Sequence, residues 1–144
     1  MSTWLSPEKT ALQQLIGRRV EALLIDGGQQ RLVFVCHGLT VLWTVVGDCC
    51  SESWFADIVD VDHLFSAEVT AIAVVPLPAW VNTDDGRGRQ ETDEAYGYRV
   101  TTERGYVDII FRNSSNGYYG GWMEPTIIDQ VPSEMKEIRS DWHA

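Results

Sequence analysis

The chain has 144 residues, of which 44% are hydrophobic, and its 21 Asp and Glu against 11 Lys and Arg give a net charge of −10. This length and composition predict one soluble domain, residues 1–144, with a core of its own. The acidity disfavours direct binding to nucleic acid, which needs clustered cations. No apolar run approaches the ~20 residues that span a bilayer and no signal peptide is recognisable, so we expect a cytoplasmic protein without a membrane partner.

The N-terminal half predicts two helices around three strands. The first helix is expected over Pro7–Ile16, where Ser6 can cap it and the apolar residues share one face. Three apolar runs then predict strands at Val20–Ile25, Leu32–Cys36 and Val41–Val46. A second helix is predicted after Gly47, with a core stripe of Trp54, Phe55, Ile58 and Val59.

The C-terminal half predicts further strands around a polar loop. A strand at Glu68–Val75 is followed by residues 76–95, whose polar composition predicts a mobile loop. Gly105 marks the turn of a hairpin between Tyr96–Thr102 and Tyr106–Phe111, and one more strand is expected at Tyr118–Met123, followed by a tail after residue 125 with a short helix near 134–139. The predicted fold class is α+β: a mainly antiparallel sheet of six to seven strands with two to three helices.

The apolar strands also predict an oligomer. Leu32–Cys36 and Val41–Val46 carry apolar residues on both faces, and two or three helices cannot cover a sheet of six or seven strands. Burial against a second subunit solves this problem, and closed symmetry is the usual form. We therefore expect a homo-oligomer, either a dimer or a higher even-numbered assembly.

The segment Phe111–Trp122 is the most informative part of the sequence. Its twelve residues include two Asn, two Ser, three Gly, four aromatic residues and one Arg, but no carboxylate. Amides and hydroxyls can read a polar planar ligand, rings can stack on it, and Arg suits phosphate. A glycine-rich hairpin whose rings pack across strands explains the same composition.

A ligand site built on this segment would bind a small, anionic, nucleotide-like molecule. Tyrosine and tryptophan would stack on the base, asparagine would read base or ribose, and arginine would meet phosphate. The candidate ligand-binding residues are Arg99, Tyr106, Arg112, Asn113, Ser114, Ser115, Asn116, Tyr118, Tyr119 and Trp122.

Neither a metal nor a cofactor is predicted. His37, His63 and His143 lie far apart in the sequence, and the Asp residues at 57, 60 and 62 lack the glycine of a calcium loop. The three cysteines have no framework spacing and are expected to be reduced.

Two alternatives to a non-enzymatic binding protein remain open. Cys49 or Cys50, at the start of the second predicted helix, would have a lowered pKa and serve as the nucleophile of an enzyme, with His37 or His63 as base. The net charge of −10 also suits an acidic DNA mimic that inhibits a host nucleic-acid-binding protein.

Two motifs carry a resemblance to known proteins. Gly47–Phe55 and Phe111–Trp122, together with Leu15–Val20 and Tyr96–Val100, resemble a family of small phage and prophage proteins of uncharacterised domain type. The resemblance covers Leu15 to Met123. Phage proteins of this size look like sponges for nucleotide immune signals, such as the anti-Thoeris proteins that hold cyclic ADP-ribose isomers. The resemblance to these proteins implies a non-catalytic oligomer that acts in the host cell cytoplasm and lets the phage evade host immunity.

Overall fold

The fold consists of short β-strands in the part of the chain that the computed structural model describes, namely residues 13–47, 52–76, 92–115 and 121–143. Within these residues helical structure is confined to a turn at 13–17 and one 3-10 turn at Val61–His63. The strands are β1 (Val20–Ile25), β2 (Arg31–Cys36), β3 (Leu39–Gly47), β4 (Glu52–Val59), β5 (Val69–Pro76), β6 (Thr92–Thr102), β7 (Gly105–Ser115), β8 (Gly121–Ile128), β9 (Lys136–Glu137) and β10 (Trp142–His143).

The strands form two antiparallel sheets. Sheet I has the order β8-β3-β2-β1-β9, and sheet II has the order β10-β4-β7-β6-β5. Half of the eight strand pairs join strands that follow each other in the chain, namely β1–β2, β2–β3, β5–β6 and β6–β7. The chain passes from one sheet to the other after β3, after β7 and after β9.

The core lies between the sheets, which pack face to face. One cluster of buried side chains draws members from both sheets, since alternate residues of each strand point the same way. Aromatic rings cross this layer: Phe34 and Trp43 of sheet I have centroids 4.6 Å apart, and Trp43 lies 5.3 Å from Tyr98 of sheet II. Tyr98 is 6.0 Å from Phe111 on the neighbouring strand. These distances suit attractive tilted ring pairs.

The predicted α+β class is wrong, and the second helix shows why. Residues 52–59 form β4, a strand between β10 and β7, and every side chain from Trp54 to Ile58 is buried. Burial on both faces removes the alternation that identifies a strand. A bulge between Phe55 and Asp57 shifts the register by one residue, so the apolar spacing imitates a helix.

Other predicted elements also change. The tail helix near 134–139 is replaced by β9, which pairs with β1, and by the bond from Ile138 N to Leu23 O at 2.8 Å. Most of the helix predicted over residues 7–16 lies outside the described residues; the part within them is a turn closed by Ile16 N donating to Gln13 O. The predicted mobile loop at 76–95 overlaps two strands, because β5 includes residue 76 and β6 begins at residue 92. Residues 77–91 lie outside the described ranges.

The second sheet also changes the basis for the predicted oligomer. The apolar runs of β2 and β3 were expected to need a partner subunit, because too few helices were available. In the structure sheet II covers one face of these strands, and Leu32, Phe34 and Trp43 are fully buried within a single chain. The interface of an oligomer would therefore lie on a different surface of the chain.

Candidate functional site

Buried charges gather on the outer face of sheet II, the face that points away from sheet I. On β7 the odd-numbered residues 107, 109 and 111 enter the core, so the even-numbered residues 106, 108, 110 and 112 point outward. Among the described residues the buried charged side chains are Asp57, Asp108 and Arg112, and all three lie on this face. Charged groups are rarely buried without partners, and functional sites concentrate such exceptions.

Arg99 is held in a fixed ion pair on this face. Its Nε and Nη2 donate to the two carboxylate oxygens of Asp108 at 2.8 and 3.0 Å, because the β6–β7 register places the residues opposite each other. Asp108 is 3% exposed and the Arg99 side chain 30% exposed. The hydrogen bond to Asp108 raises the pKa of Arg99 above its ordinary value. The pair is therefore locally neutral and keeps its geometry.

Tyr106 completes the exposed part of this site. The Arg99 guanidinium carbon lies 4.0 Å from the centroid of the Tyr106 ring, a cation–π contact. The Tyr106 side chain remains 46% exposed. His63 Nδ1 lies 3.3 Å from the Tyr106 carbonyl oxygen, which ties the start of β7 to the 3-10 turn. Arg99, Tyr106 and Asp108 thus present a planar guanidinium stacked on an aromatic ring at the surface.

Arg112 lies further along the same face and is buried. It is 1% exposed, and its guanidinium carbon is 5.6 Å from the ring centroid of Trp54, its register partner on β4. Trp54 packs with Ala56 and Ile110 in a small cluster separate from the main core. The buried carboxylate of Asp57 lies on the same face, so it offsets the charge of Arg112 in part.

The remaining predicted residues divide between two sheets. Asn113, Ser114 and Ser115 continue β7, where Asn113 pairs with Ser53 of β4 and with Glu94 of β6. Trp122 belongs to β8 and pairs with Val46 in sheet I, so the backbone places it in the other sheet. Asn116, Tyr118 and Tyr119 lie outside the described residues. The described chain therefore brings Arg99 and Tyr106 into contact and places Arg112 on the same face, about 20 Å from Tyr106 along β7, whereas Trp122 lies in the other sheet.

Sequence reasoning missed Asp108 and Trp54. Asp108 was missed because the predicted turn, residues 103–105, pairs Thr102 with Tyr106, whereas in the structure Thr102 pairs with Gly105 and Arg99 therefore lies directly opposite Asp108. Trp54 was missed because the residues around it were interpreted as a helix.

The helix from which the cysteine-based alternative was argued is absent at residues 52–59. A lowered pKa at Cys49 or Cys50 required a helix beginning there, whereas residues 52–59 are strand β4. Both cysteines lie outside the described residues. Burial raises the pKa of the Cys36 thiol to about 11, so this cysteine is not a ready thiolate either. Within the described ranges no three His, Cys, Asp or Glu side chains converge to hold a metal ion.

An open cleft of roughly 320 Å³ lies elsewhere, on sheet I. It is formed where β2 ends, β3 begins and β8 ends, and it contains none of the predicted ligand-binding residues. Its lining residues are Cys36, Gly38, Leu39, Thr40, Ile127, Ile128 and Asp129. The cleft and the outer face of sheet II are separate features, since they belong to different sheets.

Comparison with known proteins places the chain in a family. An uncharacterised protein of Acanthamoeba polyphaga mimivirus is 38% identical over 78 residues, which are 54% of this chain and 60% of that protein, so the match spans about three fifths of the viral relative. No solved structure matches at a significant level. In the described part of the chain no helix is long and apolar enough to cross a membrane. The model of a domain of unknown function, DUF7448, matches residues 13–124, well over half of the sequence, and the chain therefore belongs to the DUF7448 family.

Proposed function

We propose that this protein is a non-enzymatic, viral-type binding protein that sequesters a small nucleotide-derived anion and so blocks a host antiviral signal. The ligand class is that of cyclic ADP-ribose isomers and cyclic oligonucleotides. One observation carries the proposal: Arg99, Tyr106 and Arg112, which come from two strands, lie on the same face of sheet II. The uncharacterised mimivirus relative supports the viral part of the proposal.

The exposed pair of Arg99 and Tyr106 provides the contacts. A base can stack on an exposed tyrosine ring, and such stacking is worth ~1–3 kcal/mol per base. Arg99 uses Nε and Nη2 on Asp108, and its Nη1 makes no hydrogen bond with any described residue. The Nη1 group can therefore donate a hydrogen bond to a phosphate oxygen of the ligand.

Arg112 contributes to this site through its charge. Because it is 1% exposed, it contributes to the local potential instead of making the first contact. An anion approaching a chain of net charge −10 needs a cationic contact; because Asp57 and Asp108 on this face offset the charges of the two arginines, that contact comes from the guanidinium edge of Arg99 and not from a net positive face. Of the three polar residues that follow Arg112 on β7, strand alternation puts only position 114 on the same face, and we assign to Ser114 a hydrogen bond to base or ribose.

The proposal is tested by retention of intact ligand. The protein is incubated with cyclic ADP-ribose isomers and with cyclic oligonucleotides, passed through a desalting column and denatured, and the released molecules are identified by mass spectrometry. We expect stoichiometric recovery of one of these compounds with unchanged mass. Absence of retention for all of them, or recovery of a hydrolysed product, would overturn the proposal.

Matched variants locate the site. Tyr106→Ala should weaken binding, measured by calorimetry, by about tenfold or more. Ile127→Ala is the control, because Ile127 is similarly exposed, at 48% against 46%, but belongs to sheet I. Arg99→Gln should also weaken binding, whereas Arg31→Gln, which alters an exposed ion pair of sheet I, should not. Equal losses in target and control variants would show that the ligand binds elsewhere.

A further inference from the structure

The four sheet edges formed by the described strands are not equivalent. β9 and β10 are two residues long, and β8 carries Glu124 and Pro125 in its middle. Short length, charge and proline are the usual ways in which proteins prevent an edge strand from pairing with another chain. The remaining edge is β5, with eight residues, no charged side chain and proline only at its last position.

The part of the β5 edge that no described residue pairs with has clear limits. Val69 is already engaged on that side, because its N donates to Arg18 O at 2.9 Å and its O accepts from Gly17 N at 2.7 Å. From Thr70 to Pro76 no described residue pairs with β5 on the side away from β6. The solvent reaches this stretch, since Ala71 and Ala73 are exposed. Within the described ranges the unpaired stretch therefore has seven residues, 70–76, and is centred on Ala73.

We propose that the β5 edge binds the β5 edge of a second copy of this chain, antiparallel across a twofold axis at Ala73, so that two sheets II join into one continuous sheet. This register pairs residue 70 with 76, 71 with 75, and 72 with 74 of the partner. Ile72 and Val74 are partly exposed and pack on the core. Each would cover the other across the axis, which removes apolar surface from water.

The uncharged stretch of β5 can pair with itself and so favours a second copy as its partner, although the net charge of the chain opposes self-association. Two chains of net charge −10 repel each other over most of their surface, so they can approach only where carboxylates are absent. β5 provides such a stretch on both copies at once, and every cross-strand pair in the proposed register is uncharged. Antiparallel pairing of identical strands is the arrangement that a twofold axis produces.

The test uses a charge swap at the twofold axis. Ala73→Asp and Ala73→Lys each place two like charges opposite each other, and each should raise the dissociation constant of the dimer at least about tenfold. A 1:1 mixture of the two variants should form a heterodimer, because the opposite charges then meet. Mass is measured by light scattering over a concentration series, and circular dichroism confirms that the variants are folded. Thr126→Asp and Thr126→Lys, on the edge strand β8, are the controls and should remain dimeric.

Several outcomes would overturn the inference. A wild-type mass of 16.2 kDa at all concentrations would refute the dimer. A dimer that survives both Ala73 variants, or that dissociates in the Thr126 variants, would place the interface elsewhere. If only the mixture of Ala73 variants restores the dimer mass, the pairing of β5 with itself is established. The wild-type dimer should also tighten as salt is raised, because salt screens the repulsion between the two acidic chains.

Discussion

Removing Arg99 should destabilise the protein more than removing Asp108, although the two side chains form one ion pair. The asymmetry follows from exposure, since Asp108 is 3% exposed and the Arg99 side chain 30% exposed. Arg99→Met keeps the aliphatic stem but leaves a carboxylate buried without its partner. Asp108→Asn keeps the shape of the acid and leaves a guanidinium that can turn toward water.

The geometry sets the expected magnitudes. Breaking a fully buried pair by removing one partner costs ~3–5 kcal/mol, and solvent access to Arg99 lowers this value. We expect about 2–3 kcal/mol for Arg99→Met and about 1 kcal/mol for Asp108→Asn. The double variant buries no uncompensated charge, so it should cost at least about 1 kcal/mol less than the sum of the single variants.

Urea unfolding followed by tryptophan fluorescence measures these free energies of unfolding. Arg31→Met is the control, because Arg31 and Asp26 form a looser pair at 3.6 Å and the Arg31 side chain is 40% exposed. Asp26 also keeps hydrogen bonds from the backbone N of Gln30 and of residue 31. The control should cost less than about 1 kcal/mol. Asp108→Asn costing as much as Arg99→Met, or additive effects in the double variant, would refute the argument from a buried carboxylate.

Substitutions at three further positions, each with its control, test the core and one turn. Burial raises the pKa of the Cys36 thiol from 9.0 to about 11, so the free energy of unfolding should fall as pH rises between these values. The fall should be about 2–3 kcal/mol larger than in Cys36→Ala, which lacks this ionisation. Urea unfolding of both proteins as a function of pH measures the difference. Gly105→Ala should lower the stability by about 1–3 kcal/mol in thermal unfolding, because Gly105 has φ +143° and a new Cβ would lie 2.9 Å from His63 Nδ1. Part of this loss should persist when His63→Ala removes the clash, because the strained backbone conformation remains. Trp43→Ala should lower the free energy of unfolding by about 3–5 kcal/mol, and Trp43→Phe should lower it clearly less. Phe fills most of the space between the neighbouring rings, and it removes an indole N–H that is buried without a hydrogen-bond partner among the described residues. Urea unfolding measures both values.

The strands of sheet I were predictable because their sequence signals are local. β1 has the predicted bounds, and β2 and β3 extend the predicted runs by a few residues. Each is a short apolar run between turn residues, and each pairs with its neighbour in sequence. The division into two sheets was not predictable in the same way, because it depends on which connections between strands lead from one sheet to the other. β4 failed for a related reason: burial on both faces and a bulge are properties of the tertiary structure.

The candidate site was partly predictable from strand periodicity. Tyr106 and Arg112 are six residues apart on one strand, so an uninterrupted strand places them on the same face. The hairpin register adds Arg99 from the neighbouring strand. Composition could not show that Arg112 is buried while Tyr106 is exposed, because that difference depends on what packs over each end of the strand. It also could not show that Arg99 already has a carboxylate partner.

The proposed ligand face and the proposed dimer edge are adjacent, so substitutions at Ala73 can show whether ligand binding depends on the dimer. Ala73 lies opposite Arg99 in the β5–β6 register, so a charge at residue 73 affects both the dimer and the potential around Arg99. If ligand binding requires the dimer, Ala73→Asp and Ala73→Lys should both lose affinity in calorimetry, and mixing them should restore it. If the monomer binds ligand, only Ala73→Asp should weaken the binding of an anion, because Ala73→Lys adds a second cation beside Arg99. Equal affinity in both variants and in the wild type would show that the ligand contacts neither Arg99 nor its surroundings.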